Sequence, residues 1–406
     1  MEVVIEKMNH QAMGIAKING KVVFIPKVIV GDIVDIDIIK EYKNYSIGRV
    51  NKIIKNGSKR VDVLCSYYDI CGGCSISAYT YQDELEYKVN NVIDIFKRNE
   101  IDIKPNIIKS DNRYGYRNKI TLQVSNGIIG LYEEDSNKIV DVDKCLLVSD
   151  KLNEIIDIIK KNINVNKCNK IVIRDTYYGI MIIFYGSVNN EEVIKYLGKK
   201  VVSIYTYNNK YKCIYGEKYL YEMIGEYKYR ISPDSFFQVN SRTVNKLYNK
   251  VVEYAIKNEK KDNLVDLYCG TGTIGIYLSK YFNNIIGIEL NKQAVEDAKE
   301  NAKINSVNNI EFYAGDVGKI INDQIKADVI VVDPPRSGLD KRTKDILLKI
   351  KANKIVYVSC NPLTLARDIK ELDTGYKLGE ITLVDMFPNT HHVECVSVLC
   401  HKALIK

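Results

Sequence analysis

Three glycines in a fixed spacing, Gly270-x-Gly272-x-x-Gly275, constrain the fold more than any other feature of this sequence. They follow a short apolar run at 264–267 and open a segment with helical periodicity, which indicates a tight turn from a strand into a helix. Further apolar runs alternate with helical segments, at residues 285–290, 310–313, 329–332 and 355–358. This alternation is typical of a doubly wound parallel sheet, which binds its ligands at the carboxyl ends of the strands.

The glycine motif leaves two classes of cofactor open, the nicotinamide dinucleotides and S-adenosylmethionine. Glu289 ends the second predicted strand, where a carboxylate can hold ribose hydroxyl groups, and Asp316 follows the third, where it can contact an adenine amino group. Asp266 lies just inside the first strand, and an acid there suits a cationic amino-acid tail and opposes a pyrophosphate. The three carboxylates therefore favour S-adenosylmethionine.

A cysteine ends the fifth predicted strand, in the segment Val358-Ser-Cys360-Asn-Pro362. The strand before it ends in Asp333-Pro-Pro-Arg336, and similar loops occur in enzymes that methylate exocyclic amines, so this loop alone does not identify the acceptor. Amine methylation needs no thiol, whereas C5 of a pyrimidine is a poor nucleophile until a group adds to C6. Because a thiolate is strongly nucleophilic and leaves again readily, Cys360 is the predicted nucleophile for methylation at C5.

Methylation at C5 leaves a proton on that carbon, and a general base must remove it before the thiol can leave. The segment His391-His-Val-Glu394 precedes the final apolar strand. A carboxylate that enters an apolar strand is costly unless it is used or paired. We therefore predict that Glu394 is the base, with the two histidines as weaker candidates.

The first 57 residues alternate apolar and polar side chains with period two. Short antiparallel strands in a segment of this size favour a closed five-stranded barrel of the type that binds oligonucleotides. The last strand of this segment ends in a run of cations without an acid among them, Arg49, Lys52, Lys55, Lys59 and Arg60. Such a run suits either a solvated edge strand or a phosphate-contacting surface, and the net charge of +8 favours a polyanionic partner.

Four of the ten cysteines form a spaced set, with Cys65, Cys71 and Cys74 close together and Cys145 alone. The Cys-Gly-Gly-Cys turn lets two thiolates converge on one metal, and a four-thiolate shell suits either a structural zinc or an iron–sulfur cluster.

The pattern of residues 113–232 predicts a mixed α/β region. Its first residues, 113–119, interleave three cations with two tyrosines, a composition that suits contacts with an RNA backbone and its bases.

No apolar stretch reaches the roughly 20 residues that a membrane helix needs, and the N-terminus has no basic-then-apolar signal pattern. Cysteine clusters in a chain with so few cysteines are typical of metal binding or catalysis in a reducing compartment. We therefore expect a cytoplasmic protein with no membrane or DNA partner.

Together these residues resemble the RNA uracil-5-methyltransferase family, specifically its 23S ribosomal RNA members with an N-terminal barrel, the TRAM domain. The resemblance covers nearly the whole chain. Beside the barrel and the cysteine set, it rests on Ser235-Phe-Phe-Gln-Val-Asn240, Asp266-Leu-Tyr-Cys-Gly-Thr-Gly272, Asp333-Pro-Pro-Arg336, Ser359-Cys-Asn-Pro362 with Ala366-Arg-Asp, and His391-His-Val-Glu394.

The resemblance implies a TRAM β-barrel at 1–57, a central α/β domain at 58–235 and a Rossmann-like S-adenosylmethionine methyltransferase domain at 236–406. It implies that Cys360 is the nucleophile, that Glu394 is the base, and that the substrate is a uridine of 23S ribosomal RNA. It implies a [4Fe–4S] cluster held by the four cysteines, Cys65, Cys71, Cys74 and Cys145. It also implies S-adenosylmethionine contacts from a set of five residues, Gln238, Tyr268, Glu289, Asp333 and Asp316.

Three alternatives stay open beside this interpretation. Some relatives with the same barrel and metal cysteines modify transfer RNA, so the same chemistry on a tRNA uridine is the chief rival. An NAD-dependent oxidoreductase that uses the glycine loop is a remote one. An RNA-binding module with a metal but without catalysis is disfavoured, because it leaves Cys360 and Glu394 unexplained.

Overall fold

The computed structural model describes residues 1–257, 262–322 and 324–404. Within these ranges the chain forms an N-terminal sheet, a central sheet, a short hairpin and a C-terminal sheet. No helix in the described part of the chain is long and apolar enough to cross a membrane.

The N-terminal sheet has six strands in the order β1-β5-β6-β4-β3-β2, one more than the sequence predicts. Two of its strands have only three and two residues, too few for a period-two pattern to be recognised. Positive φ angles at Asn19 and Gly20 make the tight turn between β3 and β4. The strands are β1 (Glu2–Val4), β2 (Lys7–Met8), β3 (Gly14–Ile18), β4 (Lys21–Ile25), β5 (Ile33–Glu41) and β6 (Tyr45–Lys55).

The run of cations at the end of β6 divides into two groups. Arg60 pairs at 2.7 Å with the fully buried Asp32, and Lys59 pairs at 2.9 Å with Asp83. These two cations therefore join the N-terminal sheet to the following segment. The cations that remain exposed are Arg49, Lys52 and Lys55.

Residues 81–108 belong to the C-terminal sheet, although they lie in the first third of the chain. Helix α1 (Tyr81–Arg98) starts at Thr80, whose side chain accepts the N–H of Asp83, and it buries Val92 and Phe96 in the same core as that sheet. Strand β7 (Asn106–Ile108) then lies parallel to a late strand at Tyr376–Val384. The predicted helix at 79–98 is confirmed, whereas its place in the fold was not predicted.

The central sheet has the order β10-β9-β8-β11-β12-β13-β14. Two amphipathic helices cover one of its faces, with a core that includes Ile156, Ile173 and Leu197. The elements are β8 (Lys119–Ser125), β9 (Ile128–Tyr132), β10 (Ile139–Asp141), α2 (Asp150–Asn162), β11 (Cys168–Thr176), β12 (Gly179–Gly186), α3 (Asn190–Leu197), β13 (Ser203–Asn208) and β14 (Lys210–Gly216). A hairpin of β15 (Leu220–Ile224) and β16 (Tyr227–Ile231) follows and packs on the C-terminal core.

The C-terminal sheet has the order β19-β18-β17-β20-β21-β23-β22-β7. The five predicted strands, β17 to β21, are parallel as expected, and β23 is antiparallel to both of its neighbours, so the whole sheet is mixed. The elements are α4 (Val244–Ile256), β17 (Asn263–Leu267), α5 (Thr273–Leu278), β18 (Asn284–Glu289), α6 (Lys292–Ile304), β19 (Ile310–Ala314), α7 (Val317–Ile320), β20 (Val329–Val332), α8 (Lys341–Ile350), β21 (Lys354–Ser359), α9 (Pro362–Leu372), β22 (Tyr376–Val384) and β23 (Glu394–His401).

Candidate active site

The glycine loop makes a tight turn between β17 and α5. Gly272 has a φ of +77°, and a Cβ atom there would lie 2.7 Å from the Phe312 ring and 3.0 Å from Ala298. The loop is also held from the protein interior, because the fully buried Asp266 accepts the N–H of Gly275 at 2.8 Å. Close packing on both sides therefore shapes the loop and leaves its outer surface facing a cavity.

One cavity of about 720 Å³ lies at the carboxyl edge of the C-terminal sheet. It brings together side chains from a segment before α4, from the carboxyl ends of the five strands β17 to β21 and from the start of β23. All seven residues predicted for cofactor binding and catalysis line it: Gln238, Tyr268, Glu289, Asp316, Asp333, Cys360 and Glu394. A cavity of this size accommodates a nucleoside-sized ligand together with a base.

The interpretation of Asp266 as a contact for a cationic tail stays a prediction, since one of its oxygens is buried without a hydrogen-bond partner. This carboxylate is not among the residues that line the cavity, and it braces the glycine loop from the interior. Burial raises its pKa to about 8. The sequence pattern could not separate a carboxylate that faces the ligand from one directed at the loop's own backbone.

The carboxylate of Glu289 is held in place by two backbone donors. Its two oxygens accept the N–H groups of Gly270 at 3.1 Å and of Asn291 at 2.8 Å. Tyr268, at the start of the glycine loop, has a φ of +61°, a conformation that is rare for a tyrosine. The Glu289 carboxylate is therefore held before any ligand binds, and the Tyr268 hydroxyl lies 3.3 Å from the Thr343 hydroxyl.

The pairing of β21 with β23 brings the predicted nucleophile and base together. These strands are antiparallel, with Ser359 opposite Cys395, so the next pair along the ladder is Cys360 opposite Glu394. Glu394 is buried and Cys360 is partly exposed to the cavity. The two residues are distant in the sequence, and the pairing of their strands is what brings them together.

Burial and neighbouring acids raise the pKa values of both groups. Burial raises the pKa of Glu394 to about 8, the carboxylate of Asp333 adds to the rise, and the Arg336 guanidinium opposes it. Burial likewise raises the pKa of Cys360 to about 11, with Glu394 contributing and Arg336 lowering it. The thiol therefore ionises more readily when its acidic neighbour is neutral and its cationic neighbour is in place.

Arg336 is a cavity residue to which the sequence assigned no role. Its backbone carbonyl accepts the Asn361 side-chain amide at 2.9 Å, and Asn361 in turn caps α9 through the N–H of Leu363. The Pro-Pro loop and the turn that carries Cys360 are thus tied together. The charge of Arg336 beside Cys360 was not predictable from the motif, because it depends on this contact between two loops.

The two histidines near Glu394 are not among the residues that line the cavity, although His392 Nε2 lies 3.4 Å from the guanidinium of the lining residue Arg336. His391 is within 3.2 Å of the Ser75 hydroxyl, and burial lowers its pKa to about 4. Burial lowers the pKa of His392 to about 3. Both are therefore neutral at physiological pH, and their position does not support them as bases.

The four predicted metal ligands line a second cavity, beneath the turn 71–74. None of the four is in a disulfide, and the N–H of Gly73 lies 3.4 Å from the Cys71 sulfur. Lys27 of the N-terminal sheet donates to the Cys71 carbonyl at 2.8 Å and also bonds the Cys74 carbonyl. Within the described ranges, no group of three or more histidine, cysteine or acidic side chains is arranged to hold a metal ion.

Comparison with known proteins identifies the family. A family model described as tRNA (Uracil-5-)-methyltransferase matches residues 80–402, and a TRAM-domain model matches residues 1–50. The chain belongs to the tRNA (uracil-5-)-methyltransferase family. The resemblance to the RNA uracil-5-methyltransferase family is therefore confirmed, as is the TRAM domain at the N-terminus.

Relatives of this methyltransferase match over almost their entire length. RNA methyltransferases of Clostridium tetani and Caldanaerobacter subterraneus are each 36% identical, over 97% and 98% of this chain and 95% and 97% of theirs. The crystal structure of the Pyrococcus abyssi tRNA (uracil-54, C5)-methyltransferase in complex with S-adenosyl-L-homocysteine matches with a TM-score of 0.79 and 31% identity, over 98% of this chain and 100% of that one. The chain is thus an S-adenosylmethionine-dependent RNA uracil-5-methyltransferase, which decides between the two cofactors that the glycine motif left open.

Proposed function

We propose that this enzyme methylates C5 of a uridine in 23S ribosomal RNA, in the cytoplasm, with Cys360 as nucleophile and Glu394 as base. The observation that carries the proposal is the cross-strand position of these two side chains in a cavity that the predicted cofactor residues also line. The absence of disulfides among the cysteines is consistent with a reducing compartment.

The residues around the cavity fit S-adenosylmethionine. Glu289 presents a fixed carboxylate for ribose hydroxyl groups, while Tyr268 and Asp316 border the space beyond it. Gln238 and Asp333 line the same cavity as Cys360. When bound, S-adenosylmethionine supplies the sulfonium methyl group that becomes the 5-methyl substituent.

Cys360 and Glu394 carry out the steps on the uracil. The Cys360 thiolate forms a bond to C6, and the electron pair of the C5–C6 double bond moves towards C5 and O4, which makes C5 nucleophilic. After C5 has been methylated, the Glu394 carboxylate takes the C5 proton. The electron pair of that C–H bond restores the C5–C6 double bond as the C6–sulfur bond breaks, and the thiolate leaves. Arg336 stabilises the thiolate at the start and at the end of this sequence.

We also propose that Cys65, Cys71, Cys74 and Cys145 hold a [4Fe–4S] cluster. The four cysteines line one cavity, and four thiolates are the usual ligands of a [4Fe–4S] cluster. Burial raises the pKa of the Cys71 thiol, while the Gly73 N–H and the Lys27 ammonium, which also pairs with Glu134 at 3.0 Å, both lower it. Iron and sulfide analysis of anaerobically purified protein tests this: stoichiometric iron that is lost in Cys74→Ala and retained in Cys168→Ala is expected, and iron-free wild-type protein contradicts it.

A transfer RNA uridine is the second candidate substrate, because the solved Pyrococcus abyssi relative is named as a tRNA methyltransferase. Mapping 5-methyluridine in both RNA classes, from a strain that lacks this protein and from the complemented strain, separates the two. Loss from 23S ribosomal RNA alone supports the proposal, and loss from tRNA alone overturns it. Complementation with Cys360→Ala should restore neither modification.

A further inference from the structure

Four cations gather on one face of the central sheet, the face opposite to its helices. Lys119 on β8 lies directly across from Arg174 on β11. Lys170 lies four residues from Arg174 on the same strand and therefore on the same face. Arg117 comes just before β8 and donates from Nε to the Lys119 carbonyl at 2.9 Å. The face thus carries a dense positive charge.

One acid, Glu222, acts electrostatically on Arg174 of this cluster. Among the described residues, Arg117, Lys119 and Lys170 form no ion pair, whereas Arg113 in the same segment pairs with Glu84 at 3.2 Å. Burial lowers the pKa of Lys119 to about 8, and the three neighbouring cations add to this effect. Like charges held together without a counter-charge destabilise a protein on their own. The arrangement is therefore one that an anion would stabilise.

The cluster lies beside the mouth of the catalytic cavity. Arg174 donates to the Ser235 carbonyl at 2.9 Å, and its other terminal nitrogen is buried without a partner. Asn118 donates to the Gln238 carbonyl at 3.1 Å. Between these two anchored carbonyls is Phe236, 75% exposed and part of the cavity wall. An anion at the cluster would thus sit next to the opening through which a base enters.

A row of tyrosines continues from the cluster across the sheet. The Lys170 ammonium is 3.8 Å from the centre of the Tyr185 ring, which lies 5.0 Å from the Tyr207 ring, and Tyr207 lies 4.7 Å from Tyr211. Strand register places these side chains side by side on one face, and all three rings are partly exposed. Alternating cations and aromatic rings are the surface that single-stranded nucleic acid prefers.

We propose that Arg117, Lys119 and Lys170 bind a backbone phosphate of the RNA, one that flanks the target uridine, with the tyrosine row beside them stacking on an adjoining base. The inference rests on the proposed function, since it assumes an RNA whose uridine enters the cavity. It assigns to the central sheet a role that neither the TRAM domain nor the catalytic residues fill. The buried Arg174 donates to the Ser235 carbonyl and adds its positive charge to that of the three other cations.

The test replaces two of these cations and compares the variant with a matched control. Lys119→Gln/Lys170→Gln removes two charges from the cluster, and Lys210→Gln/Lys212→Gln removes two from β14, on the opposite face of the same sheet. Steady-state methylation is measured over a range of KCl concentrations with unmodified 23S ribosomal RNA and tRNA transcripts. The RNA that wild-type enzyme methylates serves as the substrate.

For the cluster variant we expect kcat/KM at low salt to fall by about 10- to 100-fold with kcat within about twofold of wild type. The slope of log kcat/KM against log salt should flatten by about 0.7, because the cluster is assigned one phosphate and each phosphate contact to a single strand contributes roughly 0.7. Its melting temperature should not fall, since repulsion is relieved. A cluster variant that matches the control in both kcat/KM and salt slope overturns the phosphate site alone, whereas wild-type enzyme without activity on either RNA overturns the proposed function.

Discussion

Replacing Glu394 by glutamine separates the two chemical steps assigned to this cavity. The amide keeps the shape of the side chain but cannot take the C5 proton. It also removes the acid that contributes to the raised pKa of Cys360. We therefore expect addition of the thiol to proceed and elimination to fail, so that the enzyme accumulates as a covalent complex with its RNA.

The size of each effect follows from the titration of the two groups. With a pKa of about 11 for Cys360, roughly one thiol in a thousand is ionised at pH 8, and each unit by which the pKa falls raises that fraction tenfold. Adduct formation should thus be as fast in Glu394→Gln as in wild type, or faster. Turnover should fall by about 10² to 10⁴, the usual contribution of a general base.

The pH profile of turnover provides an independent measurement. Glu394 must be ionised to act as a base, and its pKa is raised to about 8, so wild-type turnover should rise with pH and rise less steeply above that value, where the Cys360 thiol, with a pKa of about 11, continues to ionise. In Glu394→Gln the inflection near pH 8 should be absent, because the titrating group is gone.

Rapid quenching with labelled RNA, followed by denaturing gels, follows the adduct directly. The double variant Cys360→Ala/Glu394→Gln should give no adduct, and Cys168→Ala, a cysteine buried in the central sheet, should behave as wild type. A Glu394→Gln enzyme without adduct, alongside an active Cys360→Ala enzyme, would refute the assignment of both residues.

Three further changes give distinct readouts. Lys88→Met should lower stability by about 3–5 kcal/mol in urea unfolding, because it removes the cation that lies 2.7 Å from the fully buried Asp385 and leaves the fully buried Glu84 with Arg113 at 3.2 Å; an unchanged midpoint would contradict this. Gly272→Ala should abolish S-adenosylhomocysteine binding in calorimetry, since its Cβ would clash with Phe312 at 2.7 Å; retained affinity would show that the loop can relax. Arg336→Gln should shift adduct formation to higher pH, because Arg336 lowers the pKa of Cys360; a profile identical to wild type would exclude that role.

The sequence predicts the parts of this enzyme that depend on local pattern. The five parallel strands of the C-terminal sheet are mainly apolar runs of four to six residues. A polar or reactive side chain lies at or just after the carboxyl end of each strand: Tyr268, Glu289, Asp316, Asp333 or Cys360. The convergence of Cys360 and Glu394 was predictable because both lie at strand ends on one edge. Their direct opposition was not, since it depends on the register of β21 with β23.

Other features escape prediction because they depend on distant contacts. The sequence predicts RNA contacts for both Arg113 and Lys119. In the structure Arg113 forms an ion pair with Glu84, whereas Lys119 has no acidic partner in the described part of the chain. The sequence predicts that Asp266 contacts the ligand, and it does not predict that one of its oxygens accepts the Gly275 N–H. Strand β7 is three residues long, below the length at which periodicity carries information.

Strand β7 and helix α1 also determine the order in which this protein can mature. On the ribosome, β7 is synthesised roughly 270 residues before its partner β22. Until then, the apolar face of α1, including Val92, Ile95 and Phe96, lacks the surface that covers it in the finished protein. A fragment that began at residue 236 would expose the matching groove and the edge of β22, a template for aggregation. The catalytic half is thus completed by a segment from the N-terminal half, and the enzyme cannot be divided at its apparent domain boundary.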